Sequence, residues 1–194
     1  KIDSDGKING KVSVKDVREV KKLYVDDLAI SDLTGIKEFI NLETLNCKYN
    51  KLDSIDLRGL TKLKILNIGG NKIRSIDKID GSNIEGLELF GNKFTEIDLS
   101  AFKRLKHFDG GGNLFSRIDF SLNPQIEHIN LMFTNRIDSL DFLQNKKLKS
   151  LMLRDIGLKH MILSKSVQSI LADRNKLEHL DVSMVHGNIS DLDI

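Results

Sequence analysis

His107 and His128 stand 21 residues apart, Asp109 follows the first of them, and Glu88 lies 21 residues before Asp109. Two imidazoles and a carboxylate form a donor set that zinc accepts. That chemistry needs the histidines side by side, about 5 Å apart, as on neighbouring strands. A chain repeating at that interval does the same to any like residues, so the pairing alone assigns no metal. His160 and His179 pair on the far side under the same argument. Asp56, Asp77, Asp98, Asp119, Asp141 and Asp181 form another column. At about 5 Å their charges repel by roughly 1 kcal/mol per pair in a water-like medium. Local hydrogen bonds to a turning backbone explain their recurrence better than a cation does. Cys47 is the single cysteine, which excludes an internal disulfide framework. It occupies the place held by Ile68, Leu89 and Leu131 in other copies, and reads as a buried, inert thiol. The chain holds no HExxH, CxxC or GxSxG and no glycine-rich loop ending in Lys-Ser or Lys-Thr. No serine–histidine–acid cluster falls into register. The expectation is a protein that is not an enzyme and needs no cofactor.

The elements that position these residues come from the repeat itself. LETLNCKYNKL starts at Leu42, LKILNIGGNKI at Leu63, IEGLELFGNKF at Ile84, LKHFDGGGNLF at Leu105 and IEHINLMFTNR at Ile126, every step being 21. Looser copies start at Val20, Leu148, Val167 and Ile189, giving nine coils with the last cut off by the chain end. Each alternation such as Leu66-Asn67-Ile68 predicts a short strand with one face inward. One coil buries about seven apolar side chains, worth roughly 1.5–3 kcal/mol each. Ordering a coil costs roughly 1–2 kcal/mol per residue in backbone entropy. A lone coil does not fold; stacked coils share flanks and strand hydrogen bonds.

The remaining bounds are broad. With 194 residues, 40% apolar and 30% charged, the chain has a globular balance and room for a core. A net charge of +2 makes no electrostatic case for nucleic acid. No apolar run is long enough to insert through a bilayer as a helix. The chain begins at Lys1, so the lack of a visible leader says little.

Residues 20–194 resemble the leucine-rich repeat, LxxLxLxxNxL. The nested second phrases, LDSIDL at Leu52, FTEIDL at Phe94, FSRIDF at Phe115 and LEHLDV at Leu177, are similar to the bacterial 21-residue variety called IRREKO. ISDLTGIKEFINLETL, residues 30–45, resembles the start of internalin-like and Bacteroides surface repeat proteins. The resemblance implies an α/β repeat fold, a right-handed solenoid that is mostly β with a short N-terminal helical cap. It also implies a secreted or surface-displayed recognition protein. Effector-type relatives carry a proline-rich repeat, and this chain has only Pro124.

Asn50, Asn71, Asn92, Asn113 and Asn175 hold one place in their coils, where the chain turns and leaves backbone groups pointing inward. An amide both donates and accepts. Each group left unsatisfied would cost roughly 1–3 kcal/mol. They read as a structural ladder, broken at Thr134 and Ile156, with Asn135 and Ile137 marking a one-residue insertion. Residues 1–19 stand outside the repeat as a cap, and 20–194 form the solenoid. SVKDVREV, residues 13–20, predicts a short helix with Ser13 as N-cap and Asp16 as the N3 acid, Val14 and Val17 covering the first coil. Before it, DGKINGKVSVKD resembles the calcium loop of EF-hand and dockerin segments, with Asp5, Asn9 and Asp16 as the candidate ligands. Lys7 takes a position where an oxygen ligand belongs, so the segment reads as a degenerate, metal-free cap.

The variable positions of each strand phrase face the concave side. They offer Tyr24, Tyr49, Glu88, Phe90, His107, Asp109, His128, Met132, Phe133, Met152, Arg154 and Arg174. Glycines lower the floor in coils 3 to 5, with Phe90, Met132, Phe133 and Met152 as an apolar group beside it. Gly110 replaces a core leucine and predicts a pinch or irregularity in coil 5. The expected function is recognition of a protein or peptide at a bacterial surface, with Glu88, Asp109, Arg154 and Arg174 setting specificity. The alternatives are glycan binding, with Tyr24, Tyr49, Phe90 and Phe133 as stacking platforms, and a passive spacer. The open strand edge at ISDLDI predicts a following domain or edge-to-edge self-association.

Overall fold

The computed structural model describes residues 14–134, 136–185 and 191–193. The Ser13 cap, the Asp5 and Asn9 ligand candidates, the Asn135 insertion and the last coil start at Ile189 lie outside them. The first described element is a five-residue helix, α1 (Val14–Arg18). The strands follow, each three residues long: β1 (Lys22–Tyr24), β2 (Thr44–Asn46), β3 (Ile65–Asn67), β4 (Gly86–Glu88), β5 (His107–Asp109), β6 (His128–Asn130), β7 (Ser139–Asp141), β8 (Ser150–Met152), β9 (His160–Ile162), β10 (Ser169–Leu171), β11 (His179–Asp181) and β12 (Asp191–Asp193).

The strands stack in parallel as a solenoid of about eight turns. A nine-stranded sheet runs β1-β2-β3-β4-β5-β6-β8-β10-β12, and a three-stranded sheet joins β7, β9 and β11 on another side. Each strand of the large sheet begins two residues after one of the nine repeat starts. Its register places like positions side by side, Leu45 on Leu66, Leu87 on Phe108, Ile129 on Leu151. The middle residue of each strand from β2 to β10 in this sheet is buried, and the apolar residues of each coil close over it into one continuous core. Val17 of α1 is buried, the helix lies against a 3-10 turn at Ile36–Glu38, and Asn41 Nδ2 donates to Arg18 O at 2.7 Å. Asp16 lies within α1.

Amides stitch the turns. Asn92 Nδ2 donates to Leu89 O (2.9 Å) and Phe90 O (3.3 Å) of its own coil and to Ile68 O (2.9 Å) of the coil before, while its Oδ1 accepts Ile73 N–H (2.9 Å). Asn71 and Asn113 repeat that set with the residues shifted by one coil. Asn50 reaches back to Leu28 and Ile30, and Asn175 to Ile156 and Leu158. Thr134 is buried in the same column and its hydroxyl meets no partner among the described residues.

A second polar column emerges at another corner. Asn123 and Asn145 are fully buried. Asn123 Nδ2 donates to Leu99 O (3.0 Å) and Phe102 O (2.9 Å), and Asn145 Nδ2 to Phe120 O (2.8 Å). Ser164 continues the line by donating to Asn145 O at 3.0 Å. In earlier coils the same place holds Leu60, Gly81 and Phe102.

The pinch expected at Gly110 is absent. Gly110 N–H donates to Asn130 O and Gly112 N–H to Met132 O, both at 2.8 Å, so the seam is regular. The missing side-chain volume is taken by rings: a Cβ on Gly110 would meet Phe108 Cε1 at 2.6 Å and Phe115 Cε2 at 3.0 Å. Phenylalanine at the strand centre supplies what glycine gives up two residues later.

Candidate functional site: the outer face of the nine-stranded sheet

The first and third residues of each strand from β1 to β10 in the large sheet point outward, and the two residues before each ladder position extend that face. The second of these sits with positive φ in every coil from the first to the eighth: Asp27, Tyr49, Gly70, Gly91, Gly112, Phe133, Asp155 and Arg174, between 54° and 64°. The turn into the ladder asparagine therefore demands a left-handed backbone, which costs an ordinary residue roughly 1–2 kcal/mol. Coils 3 to 5 meet it with glycine. Coil 2 keeps Tyr49 and coil 6 keeps Phe133, each about half exposed, at 52% and 49%.

The glycine column is a strip of bare backbone with an aromatic at each end. The Tyr49 ring lies over Gly70, and the Phe90 ring over Gly69. Tyr49 and Phe90 meet edge to face, their centroids 5.7 Å apart at 67°. Phe90 thus leans back toward coil 2 rather than forward toward Met132, and the single apolar group read from the sequence becomes two. One is Tyr49 with Phe90; the other is Met132, Phe133 and Met152. Between them run Gly91, Gly111 and Gly112. Tyr24 stands exposed on the first coil.

Glu88 and Asp109 are register partners on β4 and β5, along one rim of that strip. Asn67 Nδ2 donates to Glu88, and Asp109 accepts Gly111 N–H at 3.0 Å and bonds the Asn130 side chain. Glu88 is exposed as a residue, yet partial burial of its carboxyl, and then the charge of Asp109, push that carboxyl above its ordinary value. Asp109 is pushed the same way by burial, against the hydrogen bonds from Gly111 and Asn130. Among the described residues no basic side chain lies within ion-pair distance of either, though Lys48 and His107 act on Glu88 from further off, whereas Glu43, Glu85, Glu127 and Asp173 each hold a close partner.

His107 and His128 stack with ring centroids 4.9 Å apart and planes 3° from parallel. Partial burial, and then the His107 ring, hold His128 below its ordinary pKa. Among the described residues no group of three or more histidine, cysteine, aspartate or glutamate side chains is placed to hold a metal. Toward the C-terminus, Arg154 Nε reaches Asp173 at 2.7 Å, and the exposed Arg174 lies 3.8 Å from the same carboxylate. Cys47 is buried, with its thiol pushed up to about 12 by desolvation. Five of the six column aspartates accept the backbone N–H two residues on: Asp56, Asp98, Asp119, Asp141 and Asp181.

One row escaped the sequence reading. The residue just after each of the first seven repeat starts alternates in charge, Lys21, Glu43, Lys64, Glu85, Lys106, Glu127, Lys149. Their side chains pair across coils, Lys64 with Glu43 at 2.8 Å, Lys106 with Glu85 at 2.7 Å and Lys149 with Glu127 at 2.6 Å. Reading one repeat position down the aligned copies exposes it at once.

With this geometry the chain is a leucine-rich repeat solenoid. The leucine-rich repeat family model of two copies matches residues 40–81. The comparison with curated proteins finds no match. Among solved structures, the functional domain of InlJ from Listeria monocytogenes, which includes a cysteine ladder, superposes with a TM-score of 0.73 at 22% identity, over 89% of this chain and 43% of that one. A repeat protein of Leptospira interrogans superposes at 0.58 with 15% identity, over 87% and 73%. The internalin InlF of Listeria monocytogenes superposes at 0.52 with 19% identity, over 94% and 58%. The fold is thus internalin-like, and the chain spans less than half of the InlJ domain. Here amides, not thiols, form the ladder.

Proposed function

We propose that the chain is a non-enzymatic recognition module, exposed outside a cell, that binds a protein or peptide on the outer face of its large sheet between Tyr49 and Met152. The observation carrying this is the left-handed column. Glycine would relieve the backbone at 49 and 133 as it does at 70, 91 and 112, yet both sites keep an exposed aromatic ring. Strain retained at the surface points to use of the side chain, and exposed aromatics on a rigid sheet are the residues that anchor partners. Repeat solenoids commonly serve as such interaction modules, and internalin-type neighbours support a surface location. In this reading residues 1–19 cap the stack, 20–194 form it, and the five ladder asparagines serve the fold alone.

The test uses the double variant Tyr49→Gly/Phe133→Gly, which suits both turns. Affinity capture with the wild-type protein from its native surroundings, read by mass spectrometry, should yield a protein that the variant loses while its thermal transition is kept. Equal capture by both refutes the face. A glycan array run in parallel assigns the aromatics to sugar if it responds and the capture does not.

A further inference from the structure

We infer that the edge of the solenoid at the repeat starts of coils 3 to 8 is a docking rim for a linear sulfated polysaccharide, whose sulfates lie against the cations that coils 3, 5, 7 and 8 present there. The rim borders the proposed recognition face and stands whether or not that face binds a partner.

The charge is local. The residue after each start is already matched, since Lys64, Lys106 and Lys149 hold Glu43, Glu85 and Glu127. The two residues before each start are not. Coil 3 places Lys62 there, coil 5 Lys103 and Arg104, coil 7 Lys146 and Lys147, and coil 8 Lys165. Coils 4 and 6 place only uncharged residues, Ser82 and Asn83, then Pro124 and Gln125. All six cations are exposed, and among the described residues no carboxylate lies within ion-pair distance of any of them. Arg104 acts on Glu85, and Lys103 on Asp98, only from further off. Six unmatched positive charges on one rim exceed the net of +2 carried by the whole chain, so the rest of the surface is acidic on balance. Net charge alone hides such a strip.

Neutral oxygens order the rim. Lys62 Nζ donates to Asn41 Oδ1 and Lys147 Nζ to Gln125 Oε1, both at 2.6 Å, and Lys103 Nζ to Leu122 O at 3.4 Å. Each contact reaches a neighbouring coil and leaves the ammonium charge uncompensated. Where coils 6, 7 and 8 meet, Lys146, Lys147, Lys149 and Lys165 line an open groove of about 460 Å³, with Ser166 and Gln168 as further polar groups and Glu127 already held by Lys149. These features choose the partner. Coils 3, 5 and 7 recur about every 10 Å, two strand spacings, so regularly placed anions on a stiff chain meet them in step. A flexible polyanion would lose more freedom on docking. Five of the six cations are lysines, compact charges that attract without the bidentate geometry arginine gives. The rim in these coils carries no aromatic side chain for bases to stack on. Its leucines, isoleucines and valine are buried, which leaves no large apolar side chain to enter a membrane.

The experiment titrates the purified chain with a size-defined heparin oligosaccharide, beside its desulfated form, a short DNA duplex, and vesicles of phosphatidylcholine with phosphatidylserine. Heparin should bind with log affinity falling linearly against log salt, and the other three at least about tenfold more weakly. Lys103→Gln/Arg104→Gln/Lys146→Gln/Lys147→Gln removes no close ion pair and should keep the wild-type melting temperature. Its heparin affinity should fall at least about tenfold and its salt slope flatten, because fewer counterions are released. Lys51→Gln/Lys72→Gln/Lys93→Gln/Lys176→Gln makes the same change in net charge on exposed lysines beyond the ladder. It should stay within about twofold of wild type at physiological salt, where distant charges are screened. Amine labelling of the wild-type chain, read by mass spectrometry, needs no substitution: heparin should protect Lys103, Lys146 and Lys147 and leave Lys51 and Lys72 reactive. No heparin binding, equal binding of any of the other three probes, an equal loss in both variants, or protection confined to other lysines each overturns the rim. A glycan response lost only in the rim variant belongs to the rim; one lost only in Tyr49→Gly/Phe133→Gly belongs to the sheet face and leaves the rim without its ligand.

Discussion

Coils 2 to 5 and coils 6 to 8 meet the same demand at different corners. In the first group the asparagine ladder is continuous through Asn50, Asn71, Asn92 and Asn113, and the second phrase of each coil, which contains Asp56, Asp77, Asp98 or Asp119, forms no strand. In the second group the ladder position holds Thr134 and then Ile156 before Asn175 restores it. There the second phrases become β7, β9 and β11, paired in register as Leu140–Met161–Leu180. Asn145 and Ser164 take up the inward carbonyls at another corner, with Asn123 in coil 5 overlapping both systems. A stack needs its inward backbone groups satisfied at every joint. Where the amide lapses, backbone pairing and a relocated amide replace it.

The largest separation between the halves should come from Asn92→Leu against Asn145→Leu. The first removes four hydrogen bonds, including one to a buried N–H, and should cost about 3–5 kcal/mol in chemical denaturation. The second removes fewer, and its Oδ1 is unpartnered among the described residues, so about 1–2 kcal/mol is expected. Equal losses would break the comparison. Next comes the turn preceding the ladder. Gly112→Ala should destabilise by about 1–2 kcal/mol, and Phe133→Gly should stabilise by about 1 kcal/mol, since both positions share one left-handed backbone. A smaller effect follows at Thr134→Val, which deletes an unpartnered buried hydroxyl and should leave stability unchanged or raised by less than about 1 kcal/mol. A clear loss there would reveal a sixth working rung.

The slightest signal is in pH. Glu88 and Asp109 titrate higher in the folded chain than in the unfolded one. The native state then binds more protons than the unfolded state from about pH 4 up to the raised values, so stability contributed at low pH declines as pH rises through that window. Glu43, Glu85, Glu127 and Asp173 are lowered by their lysine or arginine partners and act oppositely, losing stability as pH falls, though solvent screening keeps that contribution small. Melting curves of Glu88→Gln/Asp109→Asn against wild type isolate the first trend: the variant should gain most above the window and nothing below it.

The strands of the large sheet were legible because a 21-residue period, kept in five copies, leaves one alignment, and side-chain alternation does the rest. The second sheet was not, because its phrases look alike in every coil while only the later ones pair. That depends on how the stack closes on that side, which no single coil encodes. Asn123 and Asn145 were missed for a related reason: their column changes from apolar to polar partway, so it shows no repeating letter. Gly110 misled because volume was counted at one position, while Phe108 and Phe115 fill it from two others. At the face, which residues point outward was readable from period two. Which way the Phe90 ring leans was not, since that follows from the missing side chain of Gly69 in the coil before.

The alternating charges after the first seven repeat starts carry a parity. Excising one coil, residues 63–83, would set Glu43 against Glu85, and like charges opposed on adjacent strands repel. Excising two, residues 63–104, would bring Lys106 against Glu43 and leave the sequence of signs intact. The module in which this chain lengthens or shortens without electrical conflict is a tandem of coils, twice the period that the leucines display.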